Sequence, residues 1–336
     1  MKKVFILFLL NFLVLYSQTK KNTIGIALSR YDNNYISFIK NNIETSLKNK
    51  LSLILVDSQN SQAMQNSQID IFLNNNVNLI ALNLIDINSA QKIVNKIAIR
   101  NIPIVFFNKE PSSDVFSSYD RVYYIGGRSY DAGITQAKLI ENSWNSRASF
   151  DKNNDGVLQC VILKGPEDDV DSNIRTDSLK KYLKSKNIKL RVLSEVNANW
   201  RYTTASIKME ELLNKYKDKI EYIIASNDDM ALGALSTLRK FGYNIDNRRM
   251  LNFIPIIGID GTKEALEEIS NYGLYGTVLL NPKTLSEALS LFSLNISQNK
   301  SPLDGTTFIL QDNKYISIPY IPITYSNLDL ALSIYK

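Results

Sequence analysis

Histidine is absent from all 336 residues. Triads built on imidazole, histidine metal sites and imidazole acid–base catalysis are therefore excluded within this chain. Cysteine occurs once, at Cys160, so no internal disulfide can form. Cys160 lies in the apolar run Val157 to Leu163 and is expected to be a small buried hydrophobe. No glycine loop of the phosphate-cradling kind is present. The lysines are spread along helix-like segments and are not massed into the stripe that a nucleic-acid footprint needs, so nucleic acid is not an expected partner. The apolar run Val4 to Tyr16, broken only by Asn11, is shorter than the ~20 residues that span a bilayer.

That short run has a different use. It follows the positive start Met1-Lys2-Lys3, the order of an export signal, with a cut expected after Ser17. Removing Met1 to Ser17 leaves 37 basic against 33 acidic residues, a net charge of +4. No cysteine follows the signal segment to carry a lipid, so a periplasmic protein without a mature membrane span is expected.

From about residue 23 apolar runs of strand length alternate with helix-period segments. The strands expected are Thr23–Leu28, Ser52–Val56, Asn78–Leu82, Ile102–Phe107, Leu158–Leu163, Leu190–Leu193, Tyr222–Ala225 and Pro255–Ile259. Helical segments lie between them, among them Tyr35–Lys48, Ala90–Ile99, Ala132–Ser143 and Thr203–Tyr216. This rhythm implies an α/β protein with doubly wound parallel sheets covered on both faces. Eight strands exceed one simple open sheet, and Ser146–Gly156 is a polar break, so two lobes are expected.

In such sheets ligands bind beyond the carboxyl ends of the strands. The residues there are Asp32, Asn33 and Tyr35, then Asn108, then Asp169, Asp171 and Arg175, then Trp200, then Asn227 and Asp228, and finally Asp260. Amides, carboxylates and guanidinium groups each bond adjacent hydroxyls, and an aromatic face covers the C–H side of a sugar ring. The set suits a dry polyol site. Each member also has a plainer use: Asp171, Asn227, Asp228 and Asp229 as helix caps, Trp200 as core, Asn108 as the start of a turn before Pro111.

The stretch "DKNNDGVLQ", Asp151 to Gln159, begins like a calcium loop. Asp151, Asn153 and Asp155 fall at positions 1, 3 and 5, Gly156 at 6, the Val157 carbonyl at 7 and Gln159 at 9. Position 12, where a bidentate Glu belongs, is Ile162. Either the loop is a polar turn or its last ligand comes from elsewhere.

At this point a resemblance is specific. "YDNNYIS", "VDSQNSQAMQNSQIDIFL", "LIALNLIDINSA", "IPIVFFNKEPSS", "DKNNDGVLQCVILKG", "IEYIIASNDDMALGAL" and "GLYGTVLLNP" resemble, in one order from about Asn22 to the C-terminus, the galactose/glucose-binding receptors of bacterial sugar ABC transporters. The resemblance implies the type I periplasmic binding protein fold, two α/β lobes joined by a three-segment hinge. It places 22–127 and about 280–316 in the first lobe, and 128–279 with about 317–336 in the second. It implies a monomer that closes on a monosaccharide and docks on a membrane permease and a chemoreceptor. It also supplies a structural Ca2+ whose last ligand is Glu221, joining Asp151, Asn153, Asp155, Val157 and Gln159.

For the sugar, the resemblance puts Tyr35 and Trp200 on either side of the ring, with Tyr35 standing where phenylalanine is usual. Asn108, Asp171, Arg175, Asn227 and Asp260 keep the expected type. Three positions depart: Asn33 for an aspartate that reads the 4-hydroxyl, Asp169 for a histidine, and Leu280 for an asparagine, with Asn281 next to it. Asp32 or Asn281 could compensate. The departures sustain a second reading, a diverged paralogue that keeps fold and calcium but takes another sugar or serves as a sensory or structural protein. An enzymatic reading would use Asp168, Asp169 and Asp171 as a glycosidase pair, yet such pairs need a defined separation across the bond and these share one short run. A DNA-binding repressor of this architecture needs a helix-turn-helix where the export segment stands.

Overall fold

The computed structural model describes residues 21–245 and 252–336; the export segment expected at Met1–Ser17 lies outside the described residues. Among the described residues the chain builds two six-stranded sheets. The first contains β1 (Thr23–Leu28), β2 (Ser52–Asp57), β3 (Leu79–Leu82), β4 (Ile104–Phe107), β5 (Val122–Gly126) and, late in the chain, β11 (Tyr315–Ser317). The second contains β6 (Val157–Lys164), β7 (Lys189–Asn197), β8 (Tyr222–Ala225), β9 (Ile256–Asp260), β10 (Gly276–Leu280) and β12 (Tyr320–Thr324). Both have the same order, β2-β1-β3-β4-β5-β11 and β7-β6-β8-β9-β10-β12. All pairs are parallel except β10 with β12. This is the α/β architecture of two doubly wound lobes.

Helices cover both faces of each sheet, and the central strands are accordingly apolar, as in β3 and β4, where all residues are buried. In the first lobe α1 (Asn34–Leu47) and α10 (Pro282–Ser297) cover one face, with Ile36, Ile39, Ile43 and Leu47 of α1 in the core. The other face is covered by α2 (Gln62–Asn74), α3 (Ala90–Ala98) and the short α4 (Ser113–Ser117). In the second lobe α5 (Ser129–Ser146) and α6 (Val170–Ser185) cover one face. The opposite face is covered by α7 (Tyr202–Tyr216), α8 (Asp228–Lys240), α9 (Lys263–Ser270) and α11 (Leu328–Leu332).

The strand count and the place of the polar break differ from the sequence expectation. Four strands join the eight expected: β5, β10, β11 and β12. The polar break Ser146–Gly156 lies inside the second lobe, because α5 before it already packs on α6, β9, β10 and β12.

The chain passes between the lobes three times, from β5 to α5, from β10 to α10 and from β11 to β12. The three crossings pack together at Gly127. A Cβ there would lie 2.5 Å from Tyr320 Cε2, 2.9 Å from the Ile318 carbonyl and 3.0 Å from Leu280 Cδ1. Leu280 is therefore a hinge residue, buried among apolar side chains, and not a polar ligand of the cleft.

Candidate ligand-binding cleft

The carboxyl ends of the two sheets face one cleft lined from both lobes. From the first lobe come Ser29, Arg30, Asn33, Tyr35, Ile36, Asn60, Asn83, Asn108 and Lys109; from the second come Asp171, Arg175, Trp200, Asn227 and Asp260. The space between them is ≈ 70 Å³, far below that of drug-sized pockets. A larger groove of ≈ 840 Å³ runs beside α8 and α9. Its charges are largely matched within the protein, Arg239 with Glu268 at 2.6 Å for one, and it holds none of the strand-end amides except Asn34 at the start of α1.

Local folding explains how the side chains are presented. Asn33 caps α1, its Oδ1 accepting from Ile36 N at 2.9 Å, while its Nδ2 donates across the cleft to Asp229 Oδ2 at 2.8 Å. Asn227 caps α8 through Met230 N at 3.0 Å. The cap of α6 is Asp169, which accepts from Ser172 N at 2.9 Å. Capping and facing the cleft are thus compatible, because the first turn of each helix opens at the strand end.

Asn108 and Trp200 are held by left-handed backbone, at φ 66° and 60°. Asp260 sits at φ 127°, a region that side-chain-bearing residues rarely adopt. The Asn108 carbonyl accepts from the Tyr124 hydroxyl at 3.2 Å, and the same hydroxyl reaches the Gly127 carbonyl at 2.9 Å, coupling this strand end to the hinge. The Trp200 ring lies against Gly165, where an added Cβ would come within 2.4 Å of ring carbons. Gly165→Ala is expected to displace the indole and weaken ligand binding at least tenfold while the thermal midpoint moves by only a few degrees. Calorimetry on the variant checks it; affinity within twofold of the parent would refute this placement.

Charge in the cleft is mostly matched. Asp171 is buried, pairs with Arg175 Nη2 at 2.9 Å and accepts from the Ser129 hydroxyl. Burial pushes its carboxyl up, against the pull of Arg175. Burial also works against charge on Asp169, but Lys109, 2.6 Å away, with the Ser172 N–H and Trp200 indole, holds that carboxyl below its ordinary range. Asp260 is pushed well above the usual carboxylate range by burial and by neighbouring Asp228. Asp228 itself lies behind the cleft, fully buried, and its carboxylate accepts from Gly261 N, Thr262 N and the hydroxyls of Thr262 and Thr277.

Several lining groups are left without a protein partner among the described residues. They are the Asn60 and Asn108 amides, Asn227 Nδ2, the Asp260 carboxylate, the Tyr35 hydroxyl and Arg175 Nε. The Tyr35 hydroxyl and Arg175 Nε are buried, and buried polar atoms are rarely left unpaired; with the amides and Asp260 they offer hydrogen-bonding capacity to a ligand with several hydroxyls.

Of the residues singled out in the sequence, Asn33, Tyr35, Asn108, Asp171, Arg175, Trp200, Asn227 and Asp260 line the cleft together. Asp169 does not; it is taken up by Lys109, the α6 cap and the Trp200 indole. Neither compensating residue reaches the site. Asn281 caps α10 through Lys283 N and Thr284 N, and Asp32 is largely exposed beside Arg30 and Arg201. Missed from sequence were the polar lining residues Ser29, Arg30, Asn60, Asn83 and Lys109, and Asp229 as the partner of Asn33. A signal existed for Asn60 and Lys109, which follow β2 and β4 in the same way as the residues chosen.

The loop from Asp151 to Gln159 meets Glu221, which is 1% exposed. Glu221 accepts from Lys152 N at 2.8 Å and Gln159 N at 2.9 Å. Asp151 accepts from Asp155 N and Gly156 N, and Asp155 accepts from Val157 N and the Gln159 amide. The Gln159 Oε1 is buried with no partner. The donors are all hard oxygens, the set a Ca2+ takes. Among the described residues no three acidic, histidine or cysteine side chains converge on one point, since these carboxylates are turned to backbone N–H groups.

Comparison with known proteins agrees with this architecture. The periplasmic binding protein domain matches residues 24–300, and the chain belongs to that family. It is 36% identical over 310 residues, 91% of each chain, to the D-galactose/methyl-galactoside binding periplasmic protein MglB of Haemophilus influenzae. To the ribose import binding protein RbsB of Bacillus subtilis it is 24% identical over 269 residues, 80% of this chain and 79% of that one. An ABC transporter solute binding protein of Bacillus halodurans with bound myo-inositol shares the fold, with TM-score 0.78 and 23% identity over 95% of this chain and 100% of that one. The family consists of solute-binding proteins, not enzymes, and the glycosidase reading of Asp168, Asp169 and Asp171 falls with it. No helix among the described residues is long and apolar enough to cross a membrane.

Proposed function

We propose that this protein is a periplasmic receptor for a monosaccharide of the D-galactose or D-glucose kind, delivering it to the permease of an ABC importer. The observation that carries this reading is the set of unpartnered polar groups in a cleft that also holds Tyr35 and Trp200. Hydroxyls need one partner each, and an aromatic face suits the apolar side of a pyranose. The 36% identity to a galactose-binding relative supports the same choice. Tyr35 and Trp200 contact the ring; Asn108, Asp171, Arg175, Asn227 and Asp260 bond its hydroxyls. Closure of the lobes about the three crossings presents a surface to the permease and to a chemoreceptor. Calorimetric titration with D-galactose and D-glucose tests the reading: micromolar or tighter binding is expected.

One observation favours a different sugar. All three departures are occupied by the protein itself, Asn33 by Asp229, Asp169 by Lys109 and Leu280 by the hinge core. Silence toward both hexoses, with binding of a pentose or cyclitol, would select that second reading.

The same proposal includes a structural Ca2+ held by Asp151, Asn153, Asp155, the Val157 carbonyl, Gln159 and Glu221. The orphaned Gln159 Oε1 and the all-oxygen donor set support it. The ion would pin the loop to the strand carrying Glu221 and take no part in ligand chemistry. Chelation is expected to lower the thermal midpoint and added Ca2+ to restore it, by several degrees once free Ca2+ exceeds Kd a hundredfold. A midpoint indifferent to both counts against the site.

A further inference from the structure

Each guanidinium or ammonium that lines the cleft is matched by a carboxylate of the second lobe. Arg175 has Asp171 at 2.9 Å, Arg30 has Asp229 at 3.7 Å and Lys109 has Asp169 at 2.6 Å. Arg30–Asp229 and Lys109–Asp169 both join the lobes with similar shielding, 9% and 12% exposed against 15% and 8%, and the second is the shorter contact. The remaining donors and acceptors around it are also used. Asp169 accepts from Ser172 N at 2.9 Å and from Trp200 Nε1 at 3.3 Å, and Lys109 donates to the Ile85 carbonyl at 3.3 Å. A fourth carboxylate, Asp260, has no cation within ion-pair distance among the described residues. A ligand bearing a carboxylate or phosphate would meet no unmatched cation here and one unmatched acid.

We propose that Asp169, through its pair with Lys109, is the specificity-determining residue that restricts the cleft to uncharged sugars and ties the two lobes together beside Trp200. The inference rests on the receptor reading above and deepens it. Two physical consequences follow from the geometry. A half-buried ammonium left without its carboxylate attracts any anion that can reach it, because an unpaired charge in a poorly solvated site is costly. Asp169→Asn keeps the shape and the Ser172 cap while removing that charge. The pair also belongs to both lobes at once, so cutting it loosens the contact between them whether or not a sugar is present.

The test uses the full mature chain as wild type, Asp169→Asn and Asp169→Asn/Lys109→Met. Titration is with D-galactose and D-galacturonate, which differ by an oxidised C6. Wild type is expected to favour the neutral sugar by about a hundredfold. Asp169→Asn narrows that preference at least tenfold, and adding Lys109→Met restores it. A preference unchanged in Asp169→Asn, or equal affinity of the wild type for both sugars, overturns the proposal. A second readout needs no sugar: the distance between spin labels on Lys92→Cys and Lys181→Cys, one exposed site on each lobe. The distribution is expected to shift to longer distances in Asp169→Asn, and an unchanged distribution overturns the tie. If D-galactose fails to bind the wild type while the distances lengthen, the hexose reading has failed and the pair has not.

Discussion

Trp200→Ala is expected to weaken ligand binding by more than a hundredfold while leaving a folded protein. The indole is set by two consecutive left-handed residues, Asn199 at φ 56° and Trp200 at φ 60°, directly after β7. It stacks on the bare Gly165, donates to Asp169 at 3.3 Å and lies 5.6 Å from the Arg175 guanidinium. The Trp200 carbonyl accepts from Arg30 Nη2 at 2.6 Å, so the same residue touches both lobes through its backbone. Truncation removes a ring face of the size that dominates binding sites, worth about 3 kcal/mol or more, while the backbone contact survives. Trp200→Phe retains a face and should recover most of the affinity. Titration of the three proteins decides the matter, with circular dichroism as the check on folding. Affinity of the alanine variant within threefold of wild type would remove Trp200 from the ligand.

Asp228→Asn is expected to be the most damaging single change to stability in this part of the molecule. Asp228 is adjacent to Asn227 and shares its acidic character with Asp229, yet its work is different. Fully buried, it gathers donors from the β9–α9 turn, Gly261 N and Thr262 N both at 2.8 Å, and from Thr277 of β10 at 2.6 Å. Burial pushes its carboxyl up to about 7, with these hydrogen bonds pulling the other way. An amide keeps one oxygen for Gly261 N and Thr262 N but presents an N–H to the Thr277 hydroxyl, which must turn from donor to acceptor, and it carries no charge. Loss of one charge-assisted bond, worth about 1.5–3 kcal/mol, predicts destabilisation on the order of 2 kcal/mol. In a lobe of this size that corresponds to a fall in the thermal midpoint of roughly 6 °C. Because the turn carries Asp260 into the cleft, ligand affinity should fall as well. A midpoint within two or three degrees of wild type would show that the network is dispensable.

The two variants separate what local pattern encodes from what it does not. Runs such as "LIAL" and "IVFF" are apolar at every position because helices cover both faces, and a strand with no polar face stands out in the sequence. The four strands that escaped are of another kind. β11 has three residues, β12 carries Pro322 and lies at an edge where a missing N–H is tolerated, and β5 and β10 lead directly into hinge crossings. The pairing of β11 with β5 joins segments far apart in the chain. The strand-end rule recovered eight of the cleft residues because every parallel strand delivers its carboxyl end to the same side of the sheet.

The α/β layering, the alternation that makes parallel sheets, the polar side chains at strand ends and the oxygen-rich loop at Asp151 to Gln159 are all written in local pattern. These are consequences of local periodicity and of residue type, and they need no partner. Which of those side chains remain free depends on contacts between distant parts of the chain. Asn33 meets Asp229 across 196 residues and Lys109 meets Asp169 across 60, and both contacts consume groups that strand-end position alone had assigned to a ligand. Leu280 was likewise settled by packing, against Gly127 at the point where three crossings touch. Hydrogen-bonding capacity is spent pairwise, and which pairs form depends on how the two lobes meet.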